Sequence, residues 1–318
     1  MAFCFRIWEG EKDMADRELT ARVKLQETGW TVGKYLRERM GFSRKQISRL
    51  KFRDGGIAVN GGRQRVNFRL SEGDILKVRL EEHIGNGKKS KVEPCTGRCS
   101  LKICYEDCDL LAVEKPAGIP CHPSHGHHLD TLANQAAAYL NGRGKDVGIR
   151  LVGRLDKDTS GIVVFAKNRE AAAALSRQRR EGRLQKVYVA LAEGCPQSIE
   201  GTVEVPIKKV PGELMKMQVS PEGKIAATHY RVLKTWGEDG KKRTLLQLNI
   251  EQGRTHQIRV HMAYIGCPLV GDPLYGTDPH GKGALLHSWR LAFRQPFTGK
   301  EIVLETELPK WSRGDDYF

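Results

Sequence analysis

The chain has 318 residues, 39% of them hydrophobic, and carries Lys+Arg 53 against Asp+Glu 38, a formal net charge of +15. That hydrophobic content can bury one large core beside a smaller satellite, so two domains are expected, and the positive excess suits a surface that meets a polyanion. No stretch approaches the roughly 20 apolar residues of a membrane span, and the opening MAFCFRIWEGEKDM reaches acidic residues too early for a secretory segment; a cytoplasmic protein with reduced thiols is expected.

Residues 1–28 match no pattern and read as an N-terminal extension, either a short leading strand or a poorly ordered arm. Residues 31–40 and 43–53 then open with Thr31 and Ser43, both good N-cap residues, and predict two short helices. IAVN, VNFRL and DILKVRL, punctuated by Gly55-Gly56 and Gly61-Gly62, predict short strands. From Trp30 to Leu80 there are 13 Lys/Arg against 4 Asp/Glu, so +9 of the +15 lies in about one-sixth of the chain. Lys45, Arg49 and Arg53 recur every four residues and line one helix face. Such like-charge spacing costs a free helix roughly 0.2–0.5 kcal/mol per pair, which an anion would offset. These three, with Arg44 and Lys34, are the candidate nucleic-acid-binding residues, and a phosphate backbone is the expected anion.

Residues 82–98 are Gly-, Lys- and Pro-containing without periodicity and read as a linker. Beyond them GIVVFAK, VYVALA, HYRVLKTW, TLLQLNI and EIVLETEL predict many strands, and helices are expected only at 130–141, 169–181 and 255–265, the last capped by Thr255 and stopped by Gly266. Too few helices exist to cover a parallel sheet, so a mixed α+β fold is expected. No Gly-rich phosphate fingerprint or P-loop occurs. Cys95, Cys99, Cys104 and Cys108 are separated by three, four and three residues, which leaves no room for the loop between ligand pairs of a zinc site. The four histidines of CHPSHGHHLDTL read better as a loop with positional duties than as a metal site. Neither a metal nor a cofactor is expected.

Polar residues gather in GRLDKDTSG (153–161), which runs directly into an apolar strand. If the chain is extended there, Arg154 and Asp156 point to the same side, and the guanidinium can hold the carboxylate ionised. Asp158 lies on that side too and is the competing carboxylate.

The segment YLRERMGFSRKQISRLKFRDGGIAVNG resembles the S4 RNA-binding domain. GRLDKDTSG resembles the catalytic motif of the RluA-type pseudouridine synthases, written with His-Arg-Leu-Asp followed by Thr-Ser-Gly. EKPAGIPCHP (114–123), KVYVAL (186–191), GRTHQIRVHM (253–262) and GDPLYG (271–276) follow the same family's pattern. The clearest departure is Gly153, where many members have histidine.

The resemblance implies an α+β chain with an S4-like domain at 29–81 and a pseudouridine synthase domain at 99–318, built on a mixed, mainly antiparallel sheet flanked by a few helices. It implies an isomerase, gripping structured RNA with the first domain and converting uridine to pseudouridine with the second. Asp156 would be the catalytic aspartate, acting as nucleophile at C1′ or base at C2′. Arg154 would fill the space left by the flipped nucleotide, and Tyr188 would pack against the base and take the C5 proton. Arg259 would pair with the aspartate, a partner its burial requires. His256 and His261 are expected to be structural. Ribosomal RNA is the expected substrate and a monomer the expected form, the alternatives being transfer RNA or a catalytically silent RNA-binding assembly factor; the latter predicts damage at Asp156, Tyr188 or Arg259, and all three are present.

Overall fold

Local capping chemistry sets the first helices in the computed structural model, which describes residues 16–81, 92–95, 100–142, 148–237 and 242–313. The chain divides into two units, Met1–Lys88 and Lys89–Phe318.

In the first unit α1 (Val32–Glu38) starts where the Thr31 hydroxyl accepts from Lys34 N, and α2 (Arg44–Lys51) where Ser43 and Gln46 cap one another reciprocally. The strands are β1 (Asp16–Arg22), β2 (Ile57–Val59), β3 (Gly62–Arg63) and β4 (Ile75–Glu81), in the order β1-β4-β2-β3. All neighbours are antiparallel. Strand β1 pairs with β4 along its whole length, so this sheet takes in a segment ahead of residue 29 and the leading-strand reading describes residues 16–22, while residues 1–15 lie outside the described residues. VNFRL departs from expectation and forms no strand. Its carbonyls are used elsewhere: Val66 O and Phe68 O accept from Gly33 N and Val32 N, two of the orphan donors at the start of α1.

In the second unit the elements run β5 (Lys102–Glu106), β6 (Leu110–Lys115), α3 (Leu132–Asn141), β7 (Arg150–Val152), β8 (Ser160–Ala166), α4 (Arg169–Arg180), β9 (Gln185–Glu193), β10 (Glu200–Glu204), β11 (Ile207–Lys209), β12 (Met217–Val219), β13 (Ala227–Trp236), β14 (Arg243–Ile250), α5 (Gln257–Tyr264), β15 (Leu286–Arg294) and β16 (Glu301–Glu305). Ten strands make one sheet, with the path β10-β13-β14-β9-β15-β8-β6-β5 and with β16 on β15 and β7 on β8. Among the described residues only β8 and β15 run parallel; the fold is mixed α+β with a mainly antiparallel sheet. Strands β11 and β12 form a separate hairpin.

The period of two along the central strands feeds two cores. Leu111, Val113, Val163 and Phe165 face one side with α3 and α5. Leu110, Ala112, Ile162 and Val164 face the other with α4. Tyr188 and α5 share the first side, and the chemistry collects there.

The linker expected over 82–98 lies outside the described residues except at 92–95, which are part of the second unit. Val92 is buried in its core, and Asn134 bonds Glu93 O and receives Cys95 N on its carbonyl. Cys95 is disulfide-bonded, against the expectation of reduced thiols, while Cys104, Cys108, Cys121, Cys195 and Cys267 are free; an argument from compartment describes the thiol pool as a whole and not each cysteine. Among the described residues no helix is long and apolar enough to cross a membrane, and no group of three or more His, Cys, Asp or Glu is arranged around a metal position.

Candidate active site

Asp156 lies on an irregular stretch between β7 and β8 and is held from both sides. On one side Leu155 N donates to the Cys121 sulfur, and the thiol donates back to Leu155 O, both at 3.3 Å. On the other the fully buried Lys115 ammonium donates to Lys157 O at 2.7 Å, and also to Pro116 O and Ile119 O at 2.8 Å. Three carbonyls therefore satisfy all three ammonium donors. Burial nevertheless pulls the Lys115 pKa down to about 8. EKPAGIPCHP thus acts as a clamp on the residues flanking Asp156.

Two glycines make this geometry possible. Gly153 has φ +76°, and a Cβ there would stand 3.2 Å from the Arg179 guanidinium, so the departure from the family's histidine coincides with a left-handed backbone. Gly161 has φ +108° and a Cβ would come within 2.3 Å of Ser288 O. Only glycine fits there. The close approach is the parallel pairing of β8 with β15, where Ser288 stands opposite Gly161 and, on its other side, opposite Tyr188. Two strand spacings of about 4.8 Å therefore separate Tyr188 from a residue five positions after Asp156.

Tyr188 is only 5% exposed. Burial first, and the Asp156 carboxylate next, push its hydroxyl well above the ordinary tyrosine range. In the resting molecule it is a neutral phenol.

Arg259 projects from α5 and is 6% exposed. It donates Nε to Asp272 Oδ2 at 2.7 Å and an Nη to Asp272 Oδ1 at 2.6 Å, a bidentate pair, while its other Nη stands 4.0 Å from Asp156. Burial opposes the Arg259 charge, but the bonds and charge of Asp272, followed by Asp156, outweigh it and raise the pKa. The expected pairing with Asp156 is present at long range; the burial is compensated chiefly by Asp272. That residue stands in GDPLYG, and Tyr275 of the same block lies under Arg259 and bonds His256 Nδ1. Sequence reasoning singled out the block and neither residue, because nothing along the chain says which carboxylate a buried arginine meets.

Arg154 departs from expectation. It is exposed and donates to Thr255 Oγ1 at 2.6 Å, with no ion pair to Asp156. Thr255 is consequently not the cap of α5. His256 occupies that position at φ +53°, without a side-chain cap bond. Burial lowers the His256 pKa, Asp156 opposing, and His261 is buried and bonded to Thr228 and Val205, as a structural residue would be. Asp158 packs where a Cβ on Gly283 would sit at 2.7 Å, whereas Asp156 has Arg259 as its ion-pair neighbour. His127 of the histidine-rich loop bonds Asp130 at 2.5 Å and bridges Ser124, closing a small turn.

The nucleic-acid candidates lie on the first unit. Lys34, Arg44, Lys45 and Arg49 line its surface, and Lys34 stands over the Trp30 ring at 4.3 Å. Arg53 lies beyond the end of α2, half-buried, donating to Arg79 O at 3.4 Å. The opposite face of α2 buries Gln46, Ile47 and Leu50.

A mainly antiparallel sheet carries a clamped aspartate, a buried tyrosine and a buried arginine close together, and residues 109–264 match the family model for RNA pseudouridylate synthase. The uncharacterized RNA pseudouridine synthase YjbO of Bacillus subtilis is 36% identical over 282 residues, covering 88% of this chain and 96% of that protein. The chain belongs to the RNA pseudouridine synthase family. Ribosomal large subunit pseudouridine synthase D of Nitrosomonas europaea is 39% identical over 66% of this chain and 62% of its own. The solved structure of human RNA pseudouridylate synthase domain containing 1 aligns with a TM-score of 0.55 and 28% identity over 67% of this chain and 86% of that one.

Proposed function

We propose that this RNA pseudouridine synthase modifies uridines in ribosomal RNA, with Asp156 as the catalytic carboxylate. The observation that carries this is the double clamp on Asp156 beside Tyr188 and Arg259. Making pseudouridine breaks the N1–C1′ bond, turns the uracil and joins C5 to C1′. A proton leaves C5 and one arrives at N1, so no redox step, metal or cofactor enters the balance. A rigidly held carboxylate suits attack at C1′ or proton removal at C2′ alike.

Arg259, oriented by Asp272, stands 4.0 Å from Asp156 and holds the carboxylate in place. Tyr188 packs its ring against the uracil. Because its hydroxyl is neutral at rest, it accepts the C5 proton only as its own proton moves on. Arg154, exposed on Thr255, is free to enter the space that a flipped nucleotide vacates. The first unit, residues 29–81 at its centre, serves as an S4-like anchor, with Lys34, Arg44, Lys45 and Arg49 meeting phosphates and Arg53 contributing at the helix end. Ribosomal RNA is favoured over transfer RNA by the relatives named for the large ribosomal subunit. A cytoplasmic monomer is part of the same reading. The catalytically silent alternative is disfavoured because Asp156, Tyr188 and Arg259 are all retained in one cluster.

The test is to incubate the protein with unmodified transcripts of large-subunit ribosomal RNA and of transfer RNA and to map pseudouridine. Sites are expected in the ribosomal transcript and none with Asp156→Asn, which should bind the RNA within about threefold of the parent because phosphate contacts dominate affinity. Modification confined to transfer RNA would overturn the substrate, and turnover by Asp156→Asn the chemistry.

A further inference from the structure

One nitrogen of the His256 imidazole has a structural duty and the other has none. The Tyr275 hydroxyl accepts from Met217 N at 2.8 Å, and its own proton has one acceptor among the described residues, His256 Nδ1 at 3.0 Å. A ring nitrogen that accepts carries no proton. Burial lowers the His256 pKa and keeps the ring neutral, so its single proton lies on Nε2. The side chain is 5% exposed, yet Nε2 bonds no residue among those described. A buried N–H donor without a protein partner is uncommon, because its desolvation is not offset.

This donor belongs to the catalytic cluster. Arg259 follows His256 by three positions on α5, and Asp156 is the charge that acts most strongly on the ring. Tyr275 stands edge-on to the imidazole at 5.7 Å and under Arg259 at 5.1 Å. His256 also holds φ +53°, a conformation that glycine adopts without strain, so α5 could open in the same way with no imidazole. The reaction has a use for the donor. When N1–C1′ breaks, the electron pair of that bond goes to N1, and the uracil spreads the charge over O2 and O4. Asp156 acts on the sugar and Arg259 is held by Asp272, which leaves those oxygens without a donor from either. A group beside Asp156 lies near C1′, and the uracil oxygen next to N1 is O2. A half-turn of the base about its N3–C6 axis exchanges N1 with C5 and O2 with O4, so one fixed donor meets O2 before the turn and O4 after it.

We propose that His256 is a further catalytic residue, whose Nε2–H donates to the uracil oxygen beside the bond that is breaking or forming, O2 first and O4 after the turn. The proton stays on His256. The hydrogen bond strengthens only as charge gathers on the base, and such a contact raises kcat with little effect on affinity. This rests on the reading of Asp156 as the carboxylate that acts at the sugar.

The test uses the full chain in single turnover on a synthetic RNA fragment spanning a uridine that the parent modifies. His256→Gly suits the backbone and should lower the rate about a hundredfold, with RNA affinity within about threefold of the parent. His256→Gln can accept from Tyr275 and still donate, and should recover part of that loss. A target uridine with sulfur in place of O2 or of O4 is a weaker acceptor, and should slow the parent roughly fivefold more than it slows His256→Gly. Nitrogen NMR of the histidine-labelled protein without RNA should show His256 neutral and protonated on Nε2 at neutral pH. A His256→Gly rate within about threefold of the parent, equal sulfur effects in parent and variant, or a proton on Nδ1 would overturn the proposal. Turnover by Asp156→Asn refutes instead the reading on which it rests, and a parent that makes no pseudouridine in any RNA refutes both.

Discussion

Replacing Asp272 with Asn keeps the side-chain shape and removes one charge from the pair that orients Arg259. Both partners are essentially out of solvent, with Arg259 6% and Asp272 1% exposed. Breaking a buried pair from one side costs about 3–5 kcal/mol, because the remaining charge is left without compensation. Two features place this case at the lower end: the new amide oxygen can still accept one of the two bonds, and Asp156 stands 4.0 Å away as a residual partner. A loss of about 3 kcal/mol in a unit of this size corresponds to a melting temperature lower by about 6–12 °C. The freed guanidinium will also turn toward Asp156, and a displacement of about 1 Å at a reacting group is worth roughly a hundredfold in rate. Thermal melting followed by circular dichroism and single-turnover pseudouridine formation would measure the two effects. The double variant Arg259→Leu with Asp272→Leu separates them. It removes both charges, so stability should return to within about 1–2 kcal/mol of the parent while the rate stays low. If Asp272→Asn melts within about 2 °C of the parent and keeps its rate, Asp272 neither compensates nor orients Arg259.

Tyr188→Phe keeps the ring against the base and should bind RNA normally, yet lose most of its rate if the hydroxyl relays the C5 proton; a near-parental rate would reduce Tyr188 to packing. Lys45→Glu with Arg49→Glu should weaken RNA binding and flatten its salt dependence by about 0.7–0.9 for each phosphate that loses its cation, with little change in melting because neither side chain is buried; an unchanged slope would make this helix face merely solvated. His287 bonds Ser160 and Thr306 with its two nitrogens and is pulled down to about 4 by burial. A depressed folded pKa stabilises above the unfolded value near 6.5, and that stability, up to about 3 kcal/mol, drains as pH falls from 6.5 toward 4. Urea titrations across that window should show His287→Gln losing this acid-side slope; identical slopes in parent and variant would place the acid sensitivity elsewhere.

Much of this molecule is legible along the chain because the signals are local. Hydroxyls at Thr31, Ser43 and Thr131 set helix starts by satisfying nearby N–H groups. Apolar runs such as GIVVFAK and TLLQLNI become β8 and β14 because buried strands need continuous apolar side chains. GRLDKDTSG contains both the clamped Asp156 and Gly161, which meets a backbone that no Cβ can approach.

Contacts between distant segments decided what the sequence could not express. VNFRL has a strand's composition but gives its carbonyls to the start of α1. Thr255 has a cap's chemistry but is taken by Arg154, 101 positions away, leaving His256 to open α5 in a left-handed conformation. Lys115, a charged residue at the end of β6, is fully buried, because three carbonyls converge on it, one of them next to Asp156. Arg259 needed a carboxylate, and both Asp156 and Asp272 qualified by chemistry; only the packing of α5 against the following loop made Asp272 the close partner. Hydrogen-bonding capacity belongs to a residue, whereas the partner that satisfies it belongs to the fold.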